Sequence, residues 1–132
     1  MRKKWTLRQR DFETSCSYRR EFLRFLTDDV GRDVISDGSH ELVFGELVTN
    51  AVRYGEEPMG VCVETDHESV VIVVENSGSC ADCKTRVAHA SAEGGRGLHI
   101  VRALVSQLVI ERDAGVPCRV TATMLLRRAP AS

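Results

Sequence analysis

Glu46 and Asn50 are four residues apart in the segment ELVFGELVTNAVRYG. On a helix that spacing stacks them on one face, with Arg53 continuing the stripe. A carboxylate beside a carboxamide is a chemically useful pair. The amide oxygen is a neutral, hard ligand suited to Mg²⁺. The carboxylate can serve as a general base toward a hydroxyl or water. The same spacing also arises as a plain solvated stripe, so the pair gains meaning only from what surrounds it.

Two further clusters carry potential chemistry. In Glu93-Gly94-Gly95-Arg96-Gly97-Leu98, glycines allow close backbone approach, and a helix opening there points free N–H groups at an anion. Arg96 can add charge or face solvent. In Val73-Val74-Glu75-Asn76-Ser77-Gly78, an apolar run ends in an amide that can both donate and accept. Gly78 leaves room for a flat ring. Without a ligand, the first is a glycine turn before a helix and the second an Asn-Ser-Gly turn closing a strand.

The positioning elements follow from periodicity. Lys4 to Arg10 alternates like a half-buried edge strand. Glu13 to Val30 reads as an amphipathic helix stopped by Gly31. A second helix, capped by Asp37 or Ser39, runs to Tyr54 and stops at Gly55, with Val43, Leu47, Val48 and Ala51 as its apolar stripe. Met59 to Thr65 and Val70 to Asn76 form a strand pair around DHES. Residues 77 to 96 make a long loop of the kind that is often functional. A third helix, GGRGLHIVRALVSQ, and strands Leu108 to Arg112 and Arg119 to Leu126 complete the order β-α-α-β-β-loop-α-β-β. That order implies an α+β sandwich with helices on one face of a sheet.

Composition sets the frame. The chain has 132 residues, 42% hydrophobic and 28% charged, which suits one domain spanning 1–132. Eighteen basic against nineteen acidic residues give a net charge of -1, which argues against a nucleic-acid partner. Neither a membrane span nor a secretory signal is legible, so a cytoplasmic location is expected. The five cysteines (16, 62, 80, 83 and 118) are accordingly read as reduced.

The order of the polar Glu/Asn helix, the strand ending in Asn-x-Gly, the long loop and the Gly-x-Gly helix resembles the GHKL (Bergerat-fold) ATPase superfamily. Within it, ELVTNAVRYG and the short length resemble the anti-sigma-factor serine kinases. The resemblance covers nearly the whole chain. It implies a two-layer sandwich with a mixed β-sheet and three helices on one face, with ATP and Mg²⁺ as ligands. Residue by residue, it implies Glu46 as the catalytic glutamate and Asn50 as the Mg²⁺ ligand. Asn76 stands where the family has its adenine-reading aspartate, beside Gly78. Arg53, Gly94, Gly95, Arg96, Gly97 and Leu98 fall in the nucleotide-binding segments. The implied reaction moves the ATP γ-phosphoryl group to a serine or threonine of a STAS-type antagonist, with a sigma factor or other regulated protein as second partner and a homodimer possible. A partner-binding module without kinase activity and a detached histidine-kinase-like catalytic domain are the alternatives.

Three departures and two decoys complete the reading. Asp-x-Gly-x-Gly becomes Asn76-Ser77-Gly78-Ser79-Cys80, and the last strand starts Cys118-Arg119 where Gly-Thr is common among relatives. The box His40-Glu41-Leu42 resembles a phosphoacceptor, but it lacks a separate dimerising hairpin; a capping or surface role is expected. Cys80-Ala-Asp-Cys83 lacks companion ligands for zinc beyond His89 and distant residues.

Overall fold

The computed structural model describes residues 1–31, 38–78, 96–111 and 118–126. In every strand but the last edge, alternate residues are buried, the pattern of a sheet covered on one side. The strands are β1 (Arg2–Leu7), β2 (Met59–Thr65), β3 (Ser69–Asn76), β4 (Gln107–Glu111) and β5 (Cys118–Leu125). Among the described residues three helices accompany them: α1 (Phe12–Val30), α2 (Ser39–Tyr54) and α3 (Arg96–Leu104).

The expected two-layer α+β sandwich is present. Leu7, Val61, Val63, Val70, Ile72, Val74, Val120 and Ala122 from the strands share one core with Phe22 and Leu26 of α1, the apolar stripe of α2, and Leu98 and Val101 of α3. The sheet order is β1-β2-β3-β5-β4. Its pairing differs from the mixed sheet expected: every described ladder is antiparallel. The reason is topological. The passage from β3 through α3 makes β4 parallel to β3, but β5 turns back and inserts between them, so no parallel pair is adjacent.

Strand β1 is an edge strand, as its alternation suggested, but it ends at Leu7 rather than Arg10. Arg10 adopts φ 59° and donates its N–H to Val52 O at 2.8 Å, which takes the chain off the sheet and onto α2. Asp11 then caps α1, its carboxylate accepting Thr14 N–H at 3.0 Å. That bond holds the Asp11 carboxyl below its ordinary value of 3.8. Gly31, at φ 90°, closes the same helix by donating to Thr27 O. Helix α2 starts on Gly38 in the left-handed region, not on Ser39, which is its first helical residue. Asp37 lies outside the described residues.

Aromatic packing joins the two layers. Phe22 of α1 stacks on Phe44 of α2, with centroids 4.2 Å apart and planes 7° from parallel. Trp5 of β1 meets Phe44 edge-on at 5.3 Å. Neither Phe22 nor Phe44 is exposed at all.

Two outcomes follow. Phe44→Ala removes both ring contacts and leaves a cavity, so it is expected to cost about 3–5 kcal/mol in urea unfolding. The depressed Asp11 carboxyl stabilises the fold above about pH 4, and that contribution disappears as pH falls through its lower folded value. Comparing melting temperatures of the wild type and Asp11→Asn at pH 6 and pH 3 should show a gap that narrows in acid.

Candidate functional site

The apolar residues of α2 decide where its polar ones point. Val43, Phe44, Leu47, Val48, Ala51 and Val52 are all buried. Glu46 and Asn50 are left on the partly exposed flank of the helix, four apart, as the spacing required. Glu46 forms no ion pair with any described residue. Asn50 is more telling. Its Oδ1 is buried and has no hydrogen-bond partner among the described residues. An unsatisfied buried acceptor costs about 1–3 kcal/mol, which a bound ligand or water would offset. A hard cation is the natural occupant of a lone carbonyl-type oxygen. The residues present therefore fit Mg²⁺, which in such sites keeps most of its shell as phosphate and water.

The C-terminal end of α2 is built against the end of β3. A Cβ at Gly55 would lie 2.6 Å from Ala51 O and from Met59 Sδ, and 3.1 Å from Asn76 Cβ. The backbone oxygen of Ala51 alone requires glycine here, and Asn76 packs tightly against the same point. Ser77 donates its N–H to Glu56 O at 2.9 Å and its hydroxyl to Pro58 O at 3.0 Å. Gln9 Nε2 donates to Gly55 O at 3.0 Å. Asn76 itself lies on the helix-facing side of β3, in step with Ile72 and Val74, and its Oδ1 accepts Gly78 N–H at 2.8 Å. Gly55, Glu56 and Ser77 are thus site-building residues that the sequence showed only as a helix stop and a turn.

The remaining expected residues divide. Arg53 is exposed, with its guanidinium carbon 5.9 Å from the Phe12 ring centre and 6.0 Å from that of Tyr54. Leu98 is buried in α3, and α3 packs on α2. Arg96 and Gly97 open that helix, and their backbone alone is described. Gly94, Gly95, Cys80, Cys83 and His89 lie outside the described residues. His40, expected at a cap or on the surface, is instead buried at the start of α2, 4% exposed.

The cysteine reading also changes. Cys16 and Cys62 are free, but Cys118 is disulfide-bonded. Cys118 is buried and pairs with Asn76 across the β3–β5 ladder, so the bond abuts the candidate site. A buried strand cysteine gives the same sequence signal whether its thiol is free or bridged.

A concavity of about 690 Å³ lies on the uncovered face of the sheet. It is lined by Lys4, Cys62, Val73 and Thr121, with Arg119 bridging Glu75 at 2.8 Å. It includes neither Glu46 nor Asn50, and it reaches the candidate site only at Asn76 and Ser77, which line its rim.

A helix-borne carboxylate and amide, an Asn-x-Gly turn docked beneath the helix end and a third helix packed alongside define a GHKL-type nucleotide-binding domain. The family model for the histidine kinase-like ATPase domain matches residues 12–124, and the chain belongs to that family. It is an ATP-binding domain. No curated protein matches the chain. No helix among the described residues is long and apolar enough to cross a membrane.

Because Asn50 Oδ1 is unsatisfied without a ligand, Asn50→Leu should keep or raise the melting temperature of the nucleotide-free protein while removing the shift that Mg-nucleotide adds to the wild type. Differential scanning fluorimetry with and without Mg-ATP measures both.

Proposed function

We propose that the protein is an ATP-dependent serine/threonine protein kinase of the anti-sigma-factor type. Its substrate would be a small STAS-type antagonist, and its second partner a sigma factor or another regulated protein. The observation that carries the reading is the buried Asn50 Oδ1, without a partner among the described residues, one helical turn from Glu46, which forms no ion pair with any of them. Asn50 would hold Mg²⁺, which neutralises phosphate charge when bound. Phosphoryl transfer rests on positioning and charge neutralisation. A carboxylate free of ion pairs can accept a proton from, or orient, an incoming hydroxyl. Glu46 supplies it on the flank of α2 that the core leaves open. Asn76 and Gly78 would face the base, held by Gly55 and Ser77. Arg53 and the segment Gly94 to Leu98 would contact the phosphates. The ELVTNAVRYG resemblance supports the choice of a serine or threonine acceptor, a cytoplasmic setting and a possible homodimer.

The test is transfer of radiolabelled γ-phosphate to co-purified partners. Acid-stable label on a partner is expected, whereas acid-labile label would point to a histidine acceptor and no label to a binding module. Glu46→Gln should lower transfer by at least about 100-fold while leaving Mg-ATP affinity within about threefold. Equal losses in both would remove Glu46 from the chemistry.

A further inference from the structure

Cys118 is the first residue of β5 and is disulfide-bonded. The chain has five cysteines, and Cys16 and Cys62 are free thiols. Elimination leaves Cys80 or Cys83 as the partner. Both follow the turn Asn76-Ser77-Gly78 within a few residues. The bond thus ties β5 to the stretch of chain that leaves the turn, and it closes a loop containing all of α3 and β4.

The place of this bond in the sheet gives it leverage. Asn76 and Cys118 are ladder partners and form the last rung of the β3–β5 pairing. Cys118 is 1% exposed and faces the helices together with Val120 and Ala122, while Asn76 faces the same way in step with Ile72 and Val74. Directly opposed side chains on one face have Cβ atoms about 4.5–5.5 Å apart. The sulfur is therefore an immediate neighbour of Asn76. A terminal rung is where a ladder opens first. With the bridge in place, this rung is held covalently as well as by the Ser77 bonds to Glu56 O and Pro58 O. Without it, the Cys118 side is held by its ladder and by packing against Ile110.

In a cytoplasmic setting, disulfides that form are as a rule transient or redox-sensing. Cys118 is shielded by burial, so a reductant attacks the partner's sulfur. The thiolate of a dithiol forms a mixed disulfide there, and Cys118 leaves as a thiolate that takes up a proton. The second thiol of the reductant then displaces the partner. The protein gains two electrons and two protons, and the reductant departs as a disulfide.

We infer that the Cys118 disulfide is a redox switch on the nucleotide site, with the bridged chain binding Mg-ATP more tightly than the reduced chain. A side chain fixed in place before the ligand arrives costs less to order on binding. The inference rests on the reading of Asn76 as the base-facing residue.

Calorimetric titration of the full chain with Mg-ATP and with Mg-tripolyphosphate, after air oxidation and after dithiothreitol, provides the test. A thiol reagent applied to the denatured protein should count three thiols in the oxidised chain and five in the reduced one. Reduction should weaken Mg-ATP binding about tenfold, the upper end of what ordering one side chain costs, and leave Mg-tripolyphosphate, which has no base, within about twofold. Cys118→Ala should bind Mg-ATP like the reduced chain and ignore dithiothreitol. Five thiols after air oxidation, or an Mg-ATP affinity unmoved by reduction, overturns the switch and leaves the role of Asn76 standing. Equal weakening of both ligands overturns the route through Asn76. An Asn76→Ala chain that binds Mg-ATP as tightly as the bridged wild type overturns the base-facing reading itself. The wild-type comparison decides the matter even where a variant fails to fold.

Discussion

The stack of Phe22 on Phe44 fixes the rotation of α2 about its own axis, and the candidate site depends on that rotation. Each residue turns the helix by about 100°. With Phe44 driven into the core between α1 and Trp5, Glu46 points about 200° away and Asn50 about 240° away, on the flank the core cannot claim. No direct contact from Phe44 to a polar residue is needed. The aromatic cluster sets an angle, and the angle sets the chemistry.

That arrangement trades stability for function in a visible way. Asn50 Oδ1 is buried without a partner among the described residues, in a helix otherwise lined with well-packed apolar side chains. A leucine would suit the folded chain better. By contrast, the Asn76 end is fully tied: Gly55, Glu56, Pro58 and Ser77 hold its turn by backbone and hydroxyl bonds. The Asn50 side of the helix is thus left with an open acceptor, whereas the turn after β3 is held by the fold itself.

Much of this was legible beforehand because it rests on periodicity. The 3.6-residue repeat in residues 39–54 gave both the buried stripe and the polar flank, and valine-rich alternation gave β2 and β3 to within a residue. What escaped was non-local. The sheet is antiparallel throughout because β5 inserts beside β3, and strand insertion leaves no mark on local pattern. The end of β1 was set by a left-handed Arg10 reaching Val52, a contact 42 residues away. Gly55 read as a helix stop, but the approach of Met59 and of Asn76, 21 residues further on, also leaves no room for a side chain there. The bridged state of Cys118 depends on a partner in space, which spacing does not reveal.

The position of β5 has a consequence for how the molecule comes into being. The strand at residues 118–125 pairs with β3 over eight residues and with β4 over five, so it seals the middle of the sheet and not its margin. During synthesis from the N-terminus, β1, β2, β3 and all three helices leave the ribosome before it does. Until it arrives, β3 has an open edge and Ile72 and Val74 lack their neighbours Ala122 and Val120. The turn at Asn76 waits as well, because its ladder partner is Cys118. In a nascent chain the β3 edge is therefore the segment most open to wrong pairing until β5 covers it.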